Sequence, residues 1–206
     1  SKEAAMSRAF IVLVVIILLL GLGLLLVGGW FVNTRNSFVA MDEGVNSAWS
    51  QVQNQYQRRM DLIPNLVNTV KGVANFEKET YTAVAEARAK AGQTVINADQ
   101  AKSPEAFRQF EQAQGQLSSA LSRLLVAVEK YPELKANQNF TQLQDELAGT
   151  ENRIAVERRR FNEVVQVYNT RLRMFPGSIV AGVSGFNARP YFTAQAGADQ
   201  APKVQF

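Results

Sequence analysis

The 206-residue chain contains no histidine and no cysteine. Histidine is the commonest metal ligand and the one side chain whose ordinary pKa lies near neutrality. Its absence excludes a Ser-His-Asp triad, a zinc site of the usual kind and a di-iron site built on Glu-x-x-His pairs. The absence of cysteine excludes disulfides, thiolate metal sites and cysteine nucleophiles. Carboxylate, lysine or tyrosine chemistry is the remaining route to catalysis. The reading is a non-enzyme with no catalytic residues, no metal and no cofactor. Charge of one sign is also scarce, with 22 basic residues against 18 acidic and a balance of +4. Without Lys2, Glu3 and Arg8 the counts are 20 and 17, a balance of +3. A nucleic-acid binder carries a stronger bias, and neither a phosphate loop nor stacking aromatics interleaved with lysine are found. No nucleic-acid partner is expected, and weak attraction to anionic lipid fits the charge better.

What is present begins with an uncharged run from Ala9 to Val32, AFIVLVVIILLLGLGLLLVGGWFV. At about 1.5 Å per residue it crosses a hydrocarbon core of roughly 30 Å. A cleaved signal peptide would have a shorter apolar region and a small-x-small site. This run ends instead in Trp30 and Phe31, aromatics typical of the membrane interface. It reads as a transmembrane anchor. Gly21, Gly23, Gly28 and Gly29 permit another helix to approach closely, and a homo-oligomer is expected. Lys2 and Arg8 before the run, against Arg35, Asp42 and Glu43 after it, favour a cytoplasmic N-terminus and an exported domain.

Three later segments carry heptads. Val45, Val52 and Leu66 alternate with Trp49, Tyr56, Ile63 and Val70; Phe107, Phe110, Leu117, Leu121, Leu124 and Val128 form the second seam. Phe140, Leu147, Ile154, Phe161 and Tyr168 recur at every seventh position in the third, partnered by Leu143, Val164 or Val165, and Leu172. Such seams belong to helices packed side by side at a shallow angle. A shorter alanine-rich helix is expected over about 77–91, with Tyr81 and Val84 as contacts. Gly72, the polar stretch 92–103, Tyr131-Pro132 and Phe175-Pro176-Gly177 mark the breaks, and Ser103-Pro104 reads as an N-cap followed by proline in the first turn. The expected fold is all-α: a transmembrane helix, then a long antiparallel four-helix, coiled-coil-like bundle with an irregular C-terminal tail. The expected domains are 1–8, a short N-terminal segment; 9–32, the anchor; 33–175, the bundle; and 176–206, the tail.

With four alternating helices the chain returns toward the bilayer. That makes Arg171, Arg173, Phe175, Ile179, Val180 and Phe186 candidate membrane-proximal contacts. The apolar, glycine-rich FPGSIVAGVSGF is either a strap along the bundle or a contact with lipid or a neighbouring subunit, and neither reading excludes the other.

Two blocks carry a family resemblance: NSAWSQVQNQYQRRMDLIPNLVNTVKG, residues 46–72, and ENRIAVERRRFNEVVQVYN, residues 151–169, followed by FPGSIVAGVSGF. In this order behind one transmembrane helix, they resemble the LemA family over nearly the whole chain from the anchor to about Phe192. The usual tyrosine and His-Glu pair after VKG are replaced here by Val73 and Phe76-Glu77, and Phe161-Asn162 replaces a Tyr-Asn. The resemblance implies a bacterial inner-membrane protein with a long helical bundle and no established catalytic activity. One branch, in magnetosome-forming bacteria, is associated with membrane biogenesis, which points by analogy to a membrane-organising role. The functional reading is a self-associating scaffold that organises or supports the membrane. The alternative is an exported binding or sensor module that docks a ligand or another membrane or envelope protein and signals through its anchor.

The motif residues support structural and interaction roles. Pro64 inside a helical heptad removes a backbone donor and predicts a kink near Met60–Pro64; Asp61 and Asn65 are candidates to satisfy freed backbone groups or to bond across to another helix. Arg58 and Arg59 are harder to place. Arg59 shares a heptad position with Val52 and Leu66, so its stem is expected in a seam with its head on Glu151, Glu157 or Asp61. Asn162 and Asn169, seven apart and each following an aromatic, put two amides on one edge of the core, where polar residues specify register. Arg158, Arg159 and Arg160 cannot all face one way, since neighbours on a helix are about 100° apart.

Overall fold

The computed structural model describes residues 2–73 and 76–193, with backbone alone over 2–9. Among the described residues the fold is all-helical. Helix α1 runs Lys2–Lys71, α2 Lys78–Gln93, α3 Pro104–Val128, α4 Pro132–Lys135, α5 Gln138–Arg173 and α6 Gly177–Ser184, with a 3-10 turn at Gln100–Lys102. The apolar run and the first heptad segment are therefore one helix, long and apolar enough to cross a membrane by length and composition. Of the tail expected over 176–206, the part after Thr193 lies outside the described residues.

The chain divides into two compact units: residues 2–42 with 170–187, and 43–169 with 188–193 of those described. In the second unit the heptad seams are its core. Val45, Trp49, Val52, Tyr56, Ile63, Leu66 and Val70 of α1 are buried, as are the six residues of the α3 seam. Phe140, Leu147, Ile154, Phe161 and Tyr168 of α5 are each at most 4% exposed. Pairings fix the helix directions. Arg88 of α2 reaches Met60 and Lys71 lies over Tyr81, so α1 and α2 are antiparallel. Trp49 touches Phe107 while Arg59 bonds Ser118, so α1 and α3 are parallel. Trp49 also meets Phe161 while Arg59 meets Glu151, so α5 runs opposite to both. The four helices alternate up and down.

Local chemistry sets the ends. The Ser103 hydroxyl accepts the Ala106 N–H with Pro104 in the first turn of α3, and Asn137 accepts the N–H groups of Asn139 and Phe140 at the start of α5. Both satisfy donors that a helix N-terminus leaves open. The loop before α3 is pinned where the Ile96 carbonyl accepts from Trp49 Nε1 at 3.3 Å and Gln53 Nε2 at 2.6 Å.

In the first unit, the stretch after Pro176 is not irregular as expected but helical over Gly177–Ser184. Gly177 at its start lies against Phe38, where a Cβ would stand 3.4 Å from Phe38 Cζ, an ordinary van der Waals contact. Gly185, at φ +75°, ends α6 in a left-handed cap: its N–H bonds the Gly182 carbonyl and that of Phe186 the Ala181 carbonyl, a Schellman pairing that favours glycine. The Phe186 ring then packs on Phe38 at 5.5 Å.

Helix α1 continues through Pro64 as one element. Proline there leaves the carbonyl four residues back, that of Met60, without its helical donor. Neither Asp61 nor Asn65 replaces it: Asp61 accepts from Gln57 and the Asn65 carbonyl from Thr69, both at the surface. Arg88 does, with Nε donating to the Met60 carbonyl at 2.9 Å. Arg88→Ala is expected to cost about 1–2 kcal/mol in the parent chain. In a Pro64→Ala background, where the helical N–H returns, the cost should fall well below that. Denaturation of all four chains gives the coupling, and simple additivity would contradict the assignment.

Candidate functional site

Two constellations stand out. The first lies within the second unit, around a segment of extended chain. Residues 188–193 lie against α5 as a strap. Asn169 Oδ1 accepts the Arg189 N–H at 2.9 Å and its Nδ2 donates to the Arg189 carbonyl at 2.8 Å. Asn162 repeats this on Phe192, at 2.8 and 3.0 Å. Seven helical residues advance about 10.5 Å and three extended ones about 10 Å, so two amides seven apart match backbone groups three apart. Each asparagine acts as a short stand-in for a neighbouring strand.

The strap's side chains are also held. Phe192, 5% exposed, enters a cage of Trp49, Phe107 and Phe161, with ring centroids 6.0, 4.7 and 5.4 Å away. The Arg158 guanidinium lies 4.5 Å over its ring. Arg189, likewise buried, donates to Asn46 Oδ1 at 2.8 Å and to the Ala98 carbonyl at 3.3 Å. Thr193 donates its N–H and hydroxyl to Glu111, and its carbonyl accepts from Arg158. Of the three consecutive arginines, Arg158 is the one turned inward; Arg159 and Arg160 are exposed beside Glu163 and Glu157.

Next to the strap lies a polar groove of about 410 Å³, lined among others by Tyr56, Arg59, Glu111, Glu151, Arg158 and Thr193. Arg59 is 1% exposed. Its Nη1 donates to Ser118 Oγ at 2.9 Å and Glu151 Oε1 at 2.8 Å, and its Nη2 to the Gln114 side-chain oxygen. One guanidinium thus ties α1, α3 and α5 together, while its Nε is buried without a partner among the described residues. The Tyr56 ring lies 5.0 Å beneath it. Burial pushes the Tyr56 phenol above its ordinary pKa, and the charges of Arg158 and Arg59 partly oppose this. Arg58 is exposed on α1.

The second constellation belongs to the first unit. Phe175, Ile179 and Val183 are 81%, 56% and 74% exposed, and Met174 joins them. Arg171 and Arg173 are exposed at the end of α5. Val180 is fully buried, and Phe186, half-buried, packs on Phe38. Val183 and Met174 were not singled out in the sequence, although Val183 lies four residues after Ile179 on one helix face.

The class so defined is an all-helical protein with one candidate membrane-spanning helix near its N-terminus. A sequence model of the LemA family matches residues 48–206, more than half of the chain. The chain belongs to the LemA family. It is similar to magnetosome protein MamQ 2 of Paramagnetospirillum magneticum, 25% identical over 180 residues that cover 80% of this chain and 66% of that one. It is similar to magnetosome protein MamQ of Magnetospirillum gryphiswaldense, 26% identical over 173 residues covering 76% and 64%. It is also similar to protein LemA of Metamycoplasma hominis, 24% identical over 151 residues covering 73% and 65%. The chain thus spans just under two thirds of the length of these relatives.

Proposed function

We propose that this protein is a single-pass membrane scaffold that self-associates and organises or supports the bilayer without catalysis. The reading places it in the bacterial inner membrane, with the N-terminus cytoplasmic and the bundle exported. One observation carries it: the apolar span and the helix on which the bundle is built are a single element, Lys2–Lys71. Whatever the bundle binds is therefore bound at the membrane. Similarity to magnetosome proteins supports the same direction. The span is compatible with self-association: Gly21 and Gly28, seven residues apart, fall on one helix face, where small residues let a second helix approach closely.

The groove beside Arg59 favours a second reading, an exported module that senses a ligand or docks a partner protein. Reconstitution separates the two. The full chain, incorporated into liposomes at rising density with no ligand added, is expected to cluster and deform the vesicles under cryo-electron microscopy. Undistorted spheres carrying evenly dispersed protein would contradict the scaffold.

A further inference from the structure

We propose that α6 is a second membrane contact, lying in the lipid interface with Phe175, Ile179 and Val183 directed into it and basic residues at the anionic headgroups. The proposal rests on the reading of α1 as a membrane span. Three observations within the first unit carry it.

The first is the exposed stripe. Ile179 and Val183 are four residues apart on one face of α6, Phe175 lies in the turn just before the helix, and all three are more than half exposed. The opposite face, Gly177, Val180 and Ala181, is buried. The helix is therefore apolar on both faces, and contiguous apolar surface of this kind marks an interaction site.

The second is depth. Gly177 and Phe186 both meet Phe38, which is six residues or about 9 Å beyond Val32, the last residue of the apolar run. The headgroup layer is about 5–8 Å deep on each side of the hydrocarbon core. A helix about 10 Å across packed at Phe38 reaches that layer. Cover over α1 extends deeper still: Thr34 is 4% exposed, and Phe31, inside the run, is half-buried.

The third is charge. Residues 33–42 and 170–187 carry Arg35, Arg171 and Arg173 against Asp42 alone. An apolar face flanked by cations is the pattern of a helix at an anionic surface. Another protein covering the stripe would have no use for that flanking charge at the level of the headgroups.

The absence of cysteine from the chain makes the test direct. Single variants Phe175→Cys, Ile179→Cys and Val183→Cys of the full chain are spin-labelled and reconstituted in vesicles of phosphatidylcholine with phosphatidylglycerol. Leu24→Cys serves as the reference within the span and Asn187→Cys as the reference after α6. The labels at 175, 179 and 183 should collide with oxygen, relative to a water-soluble nickel complex, several-fold more than the Asn187 label does. The preference should weaken in phosphatidylcholine alone; an equal preference there overturns the role of the cations. Labels on α6 as water-exposed as that at Asn187 overturn the lipid contact, while Leu24 still reports lipid. Labels immobile and shielded from both reagents overturn it in favour of a protein partner. A Leu24 label outside lipid would instead refute the span.

Discussion

Arg59→Ala is expected to lower the stability of the bundle by about 2–4 kcal/mol, and Arg59→Met by roughly half that or less. The side chain is buried along its whole length and its guanidinium joins three helices. Both variants strand the Gln114 oxygen; alanine also removes the stem that fills the seam, leaving a cavity. Methionine keeps most of the volume and removes the buried, unpartnered Nε. Glu151, whose side chain is 40% exposed, can turn to water in either variant, which is why the loss stays below that of a fully buried ion pair. Thermal and denaturant unfolding of the full chain in mild detergent orders the three proteins. Equal losses in the alanine and methionine variants would mean that charge, and not packing, governs the position.

The second large effect is expected at the strap. Phe192→Ala vacates a cage of three aromatic rings, and full truncation of a buried phenylalanine costs about 3–5 kcal/mol. The strap can leave its groove before the bundle unfolds, so the loss should appear first as local opening. In a Trp30→Phe background, Trp49 is the remaining tryptophan and reports its own surroundings. Its emission should move to the red as water enters the cage, and the amides of Arg189 and Phe192 should lose protection from hydrogen exchange. Asn162→Ala and Asn169→Ala each remove two bonds to the strap backbone, at about 1–3 kcal/mol each. Unchanged emission and exchange in Phe192→Ala would contradict the clasp.

Periodicity made the architecture legible. The recurring positions along the seams of α1, α3 and α5 are buried, with Leu143 and Val164 beside the last only half so, because a helix that packs along its length repeats one requirement many times. Contacts made once leave no period. Asn162 and Asn169 stand out as amides on one edge of the core, but their partners are backbone groups 30 and 20 residues downstream in an extended segment without pattern. Arg88 sits in an alanine-rich helix, and its task is visible only after Pro64 is placed against it in space. Arg189 carries no sequence signal at all, since a buried arginine in an irregular segment looks like any surface cation. Eight residues of glycine-rich apolar sequence are too few to show a helical face, so α6 was not foreseen and Val180 could not be told from Ile179.

These parts divide the labour between the two units. The strap and the Arg59 network keep the aromatic core of the bundle closed, while α6 packs on the helix that carries the span. Self-association is the central claim, and the mass of the assembled protein tests it most directly. Size-exclusion chromatography with light scattering of the full chain in mild detergent should give a protein mass that is a multiple of 22.8 kDa. A protein mass of one chain, unchanged as concentration rises, would contradict it.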